Sequence, residues 1–117
     1  MSLDGIWVFE VAGVYGWEQI STAFMEKGRF LSGSASGFSQ GTYVSDGNKV
    51  KIKLQVTQRG KNRTIFGEKR KHFSIVMKAT SDGNKVEGKI SQKGAKSTAA
   101  QHSFRLLRKA DLPALPK

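Results

Sequence analysis

Ser45-Asp46-Gly47-Asn48-Lys49-Val50 recurs thirty-six residues later as Ser81-Asp82-Gly83-Asn84-Lys85-Val86. Asp-Gly and Gly-Asn reach positive φ at little cost, which is what a tight hairpin turn requires. Each copy sits between runs that alternate apolar and polar residues, the period of a strand with one buried face. Two β-hairpins follow. After the first copy, Val50, Ile52, Leu54 and Val56 share one face, while Lys49, Lys51, Lys53 and Gln55 share the other.

The same reading extends in both directions. Ile6-Trp7-Val8-Phe9-Glu10-Val11 is β-branched and aromatic, as strands are, and apolar on both faces. Ile20, Thr22 and Phe24 alternate with Ser21, Ala23 and Met25; Lys27-Gly28 then turns the chain into Arg29-Phe30-Leu31-Ser32-Gly33. Gly41-Thr42-Tyr43-Val44 leads into the first repeated turn, and Phe73, Ile75, Met77 and Ala79 alternate up to the second. His102, Phe104 and Leu106 oppose Ser103, Arg105 and Leu107 in a last strand.

About eight short strands at turn-to-turn spacing, with no long helical pattern, define an all-β chain. Closing eight strands on themselves removes exposed sheet edges. The expected fold is a small eight-stranded antiparallel up-and-down barrel. It forms a single domain over residues 1–110, with a proline-punctuated tail at 111–117. Its expected interior is Trp7, Phe9, Phe24, Phe30, Ile52, Leu54, Phe73, Ile75, Met77, Phe104 and Leu106. These side chains either fill the barrel or leave room for one small apolar ligand.

Charge is distributed unevenly over the 117 residues. Residues 1–48 hold two basic and five acidic side chains, a balance of −3, whereas residues 49–117 hold eighteen and four, a balance of +14. Such asymmetry points to an anionic partner: nucleic acid, an anionic membrane surface or an acidic protein. Cysteine is absent, which excludes disulfide staples and thiolate chemistry and leans towards a reducing compartment. No apolar run is long enough for a membrane span, and Asp4, Glu10 and Glu18 interrupt any secretory-signal pattern. The expected location is cytoplasmic.

Three short segments, Asp4-Gly5-Ile6-Trp7, Gly28-Arg29-Phe30-Leu31-Ser32-Gly33 and Gln40-Gly41-Thr42-Tyr43, carry a resemblance. Their order and spacing resemble the negative-regulator family of type III secretion gene control, the GrlR type. The resemblance covers chiefly residues 4–45 and implies a lipocalin-like eight-stranded barrel. It also implies a homodimer and regulation by contact with a transcriptional activator instead of catalysis. The chain departs from that pattern at Gly33-Ser34-Ala35, where the family has Gly-Gly-Asp. It departs again at Ser45-Asp46-Gly47-Asn48, where regulatory members carry an acidic run.

Two surfaces compete as sites. The candidate anion or partner surface comprises Lys49, Lys51, Lys53, Arg59, Lys61, Arg63, Lys69, Arg70 and Lys71. Lys78, Lys85, Lys89 and Arg105 are candidates to extend it on neighbouring strands. The plainer reading is a solvated outer wall that keeps a barrel soluble. Residues 59–71 read as a long basic loop tethered by Ile65-Phe66. Outward Val76 and Leu107 are candidates for a covered interface. For catalysis the signals are poor. His72 and His102 have no neighbouring carboxylate or cysteine at ligand spacing, and Asp46 and Asp82 read as turn residues. Ser32-Gly33-Ser34-Ala35-Ser36-Gly37 and Gly94-Ala95-Lys96-Ser97 lack the phosphate-loop pattern. The chain reads as a non-enzymatic regulator working through protein contact, with no cofactor and no metal. Binding of nucleic acid or another polyanion, and carriage of a small apolar molecule, are the alternatives.

Overall fold

The two copies of the repeated turn occupy equivalent places two strands apart. A computed structural model describes residues 3–13, 16–34, 37–58, 72–92 and 102–113. Its strands are β1 (Gly5–Gly13), β2 (Gly16–Glu26), β3 (Arg29–Ser34), β4 (Gly37–Asp46), β5 (Lys49–Gln58), β6 (His72–Ser81), β7 (Lys85–Gln92) and β8 (His102–Ala110). Each strand pairs antiparallel with the next, and β8 pairs with β1, closing an up-and-down barrel.

Gly47 and Gly83 take φ of 62° and 99°, so glycine supplies the positive φ in each repeat. Each turn also serves the strand beyond its own hairpin. The Asn48 carbonyl accepts from the Ser81 N–H at 2.7 Å, and the Asn84 carbonyl from the Arg108 N–H at 2.9 Å. Gly28, in the β2–β3 turn, does the same for the Tyr43 N–H at 2.8 Å. A side-chain carboxylate fixes the second copy further: Asp82 Oδ1 accepts from the N–H groups of Asn84 and Lys85. The sequence repeat therefore marks a structural repeat, one hairpin step around the barrel.

Interior residues form horizontal rows across the strands. One runs Trp7–Ala23–Ser32–Ser39–Val56–Phe73, and another runs Met25–Phe30–Gly41–Leu54–Ile75. Phe9 and Phe104 meet edge to face, with centroids 6.0 Å apart. The expected interior residues belong to this cluster, Phe73 at its half-buried margin, with one correction. Phe24 points outward and is 45% exposed, while Ala23 and Met25 face inward. The reason is steric complementarity: Ala23 lies opposite Trp7, so the small side chain leaves room for the indole. Leu3, Val11, Tyr43, Val50, Val86 and Ile90 complete the core.

One end of the barrel is sealed by named bonds. The Trp7 indole N–H donates to the Leu3 carbonyl at 3.0 Å. Asp4 Oδ1 accepts from the Lys27 N–H at 2.9 Å and from the Tyr43 hydroxyl at 3.1 Å. The Arg108 guanidinium stacks 4.6 Å from the Trp7 ring centre and donates to the Gly83 and Asp4 carbonyls.

Burial raises the Tyr43 phenol pKa above its ordinary value of 10.0; the Gly28 backbone hydrogen bond opposes this and the Asp4 carboxylate adds to it. The unfolded chain thus releases this proton at lower pH than the folded one. Stability from this group is complete below pH 10.0 and is lost as pH rises through the folded value. Urea midpoints measured across alkaline pH should fall less steeply for Tyr43→Phe than for wild type. Parallel curves would show that Tyr43 is not the linked group.

Candidate functional site

The strict alternation of β5 puts Lys49, Lys51 and Lys53 outside and Val50, Ile52 and Leu54 inside. Register then determines which residues join them. Lys51 lies opposite Lys78, and Lys78 opposite Lys89, so three ammonium-bearing side chains sit side by side on β5, β6 and β7. Like charges placed directly opposite one another destabilise a sheet, so this row is a cost that the fold itself does not require. Among the described residues, no carboxylate pairs with Lys51, Lys53 or Lys78. The Lys89 ammonium donates to the Ser103 hydroxyl at 2.7 Å.

The margins carry compensating charge. Asp46 lies opposite Lys49, and Lys85 reaches Glu87 at 3.4 Å. Arg105 leaves the basic wall altogether: its guanidinium binds Glu10 at 2.6 Å and stacks 4.2 Å from the Trp17 ring centre, at the β8–β1 seam. Arg59, Lys61, Arg63, Lys69, Arg70 and Lys71 lie outside the described residues.

An 840 Å³ groove runs between these lysines, with Val44, Ala79 and Gly88 among its lining. A second groove, lined by Leu31, Gln40 and Val76, shares Thr42 and Lys53 with the first, so the two are continuous on the outer wall. Val44 is 70% exposed.

Beyond the second groove lies an apolar row that local sequence reading does not reveal. Phe24 pairs with Leu31, and Phe38 sits diagonally beside Leu31 across β3 and β4. Leu31 is 52% and Phe38 53% exposed. Of the outward residues expected to form an interface, Val76 is half-buried beside Lys53, and Leu107 is half-buried between Val8 and Lys85.

Among the described residues, no three His, Cys, Asp or Glu side chains are grouped to hold a metal ion. His72 Nδ1 lies 3.2 Å from the Thr57 hydroxyl, and His102 pairs with Ile90 at the start of β8. No described helix is long and apolar enough to cross a membrane.

The fold and surface together define a closed eight-stranded antiparallel barrel with one basic and one apolar sector on its outer wall. No protein-family model matches the chain, and no curated protein matches it.

Proposed function

We propose that this barrel is a non-catalytic regulator that works in the cytoplasm by protein–protein contact, as its resemblance to the GrlR type implies. The supporting observation is the apolar row of Phe24, Leu31 and Phe38, exposed on adjacent strands where no segment of the described chain covers it. Contiguous apolar surface of this kind marks interaction sites in monomeric folds. Self-association through the same row belongs to this reading, since the resemblance implies a homodimer.

Affinity capture from the source cells, comparing wild type with a folded Leu31→Asp variant, tests it. A defined protein retained by wild type and lost from the variant is the expected result. Identical sets of bound proteins would sink the reading.

A second reading, direct binding of nucleic acid or another polyanion, draws on the Lys51–Lys78–Lys89 row. It requires affinity that falls steeply with salt. Carriage of a small apolar ligand draws least support, because the interior side chains already pack into one cluster.

A further inference from the structure

Along the outer face of β4, Phe38, Gln40, Thr42 and Val44 follow one another without a charge. Phe38 and Val44 stand at its ends, six residues or roughly 20 Å apart at the rise of a strand, and are 53% and 70% exposed. On the β3 side, Leu31 lies opposite Gln40, and Arg29 is already neutralised by Glu26 at 3.0 Å. On the β5 side, Lys51 lies opposite Val44 and Lys53 opposite Thr42, the two lysines that no described carboxylate pairs with. Asp46 lies past Val44 and is offset by Lys49 opposite it. Eight strands divide the circumference into steps of about 45°, so β3, β4 and β5 lie within a quarter turn and one plane touches all three.

We propose that this β3–β5 wall docks on an anionic phospholipid bilayer, lying on it without crossing it. Leu31, Phe38 and Val44 enter the boundary between headgroups and acyl chains, and Lys51 and Lys53 meet the headgroup phosphates. This goes beyond the protein-contact reading by giving the barrel a second partner. Three arguments select the bilayer. A soluble polyanion uses the lysines but leaves Leu31, Phe38 and Val44 in water. A folded protein buries a contiguous apolar core, whereas Phe38 and Val44 are held apart by Gln40 and Thr42 on a convex wall. A fluid bilayer receives scattered apolar side chains one by one, and lysine stems lie along its apolar surface while their heads stay at the phosphates. The plane of contact also ranks the lysines. Lys51 and Lys53 on β5 touch it, but Lys78 and Lys89, on β6 and β7, have turned away.

The test is co-sedimentation with vesicles of phosphatidylcholine, alone or with about 30% phosphatidylglycerol, at physiological salt. Wild type should pellet with the anionic vesicles and stay in solution with the neutral ones. Lys51→Glu/Lys53→Glu should lower partitioning by more than about twentyfold, and Lys78→Glu/Lys89→Glu by clearly less. Val44→Ser should lower it about tenfold, the consequence of an apolar side chain withdrawn from the boundary. All three variants should keep the far-UV spectrum of wild type. Insertion is read directly with Val44→Trp, whose emission should shift to the blue on anionic vesicles and be quenched by brominated acyl chains. Lys109→Trp, exposed on β8 at the far side of the barrel, should show neither change. Failure to pellet with anionic vesicles, or an unshifted Val44→Trp spectrum on them, overturns the proposal. Equal losses from the two lysine pairs with none from Val44→Ser overturn it too, and assign the lysines to a polyanion. Val44 and these lysines lie outside the Phe24–Leu31–Phe38 row, so such results leave the protein-contact reading to its own test with Leu31→Asp.

Discussion

Gly88→Ala is expected to cost about 3 kcal/mol or more, enough to threaten a domain of ordinary stability. Gly88 faces inward between Ala79 and Phe104. A Cβ there would stand 2.0 Å from the Lys78 carbonyl oxygen and 2.7 Å from the Ala79 Cα. Both obstacles are backbone, so no rotamer change relieves them. Gly41 meets the same obstruction, with its added Cβ 1.9 Å from the Lys53 carbonyl oxygen. At these points β4 folds over β5, and β7 over β6, far more closely than side chains permit, which is how a sheet of eight strands turns its corners. Gly33→Ala is the control, because nothing lies within 4 Å of its added Cβ, and it should shift stability by no more than about 0.5 kcal/mol. Urea unfolding followed by far-UV circular dichroism separates them. Equal midpoints for Gly88→Ala and Gly33→Ala would refute the close approach.

The barrel was legible wherever one strand face is wholly apolar. β5 declares itself because Val50, Ile52 and Leu54 alternate with lysines without a break, and the turn repeat supplies both ends of the hairpins around it. β2 is readable as a strand, but its inward face is not, for a physical reason. Phe9 pairs with Ser21 but Glu10 pairs with Gln19, so Ile20 is an extra residue in β2 and the inward phase changes there. Residue size adds to the confusion. The bulkiest side chain of the stretch, Phe24, lies outside because Trp7 already takes the interior volume opposite Ala23. That information belongs to a pairing across strands, which no local pattern contains.

The candidate site divides along the same line. Lys49, Lys51 and Lys53 were readable from alternation, but the stacking of Lys51, Lys78 and Lys89 into one row depends on register. Phe30 belongs to the expected interior and lies there, but alternation does not show that its outward neighbour Leu31 meets Phe24 and Phe38, because that depends on register across β2, β3 and β4. The segments that carry the family resemblance end up doing structural work: Asp4, Trp7, Gly28 and Tyr43 bond one another or the chain beside them at the sealed end. Residues of that kind report a way of closing a barrel. They do not report a partner, which is why the partner must be sought on the outer wall.

Arg108→Met should unfold the protein at a temperature lower by roughly 10 °C, the consequence of losing about 3 kcal/mol. The guanidinium donates from Nε and Nη2 to the Gly83 carbonyl, at 3.1 and 2.9 Å, and from Nη1 to the Asp4 carbonyl. It thereby ties β8 to the second repeated turn and to the segment entering β1, the three pieces of chain that meet at the seam. Methionine keeps much of the stem but removes these charged donors and uncovers one face of Trp7. Arg108→Lys should restore little, because an ammonium cannot present the planar fork that reaches two carbonyls while lying over an indole. Two readouts separate this role from a general loss of packing. Hydrogen exchange should accelerate at Asn84 and Lys85 and around Asp4 before the β4–β5 hairpin responds, and Trp7 fluorescence should shift to the red. Trp17, at the opposite end of β1 and β2 beneath Arg105, serves as the internal reference, and Trp17→Phe isolates the Trp7 signal. If Arg108→Met unfolds at the wild-type temperature, the sealed end owes its stability to Leu3, Tyr43 and the Asp4 bonds alone, and the arginine is there for some other purpose.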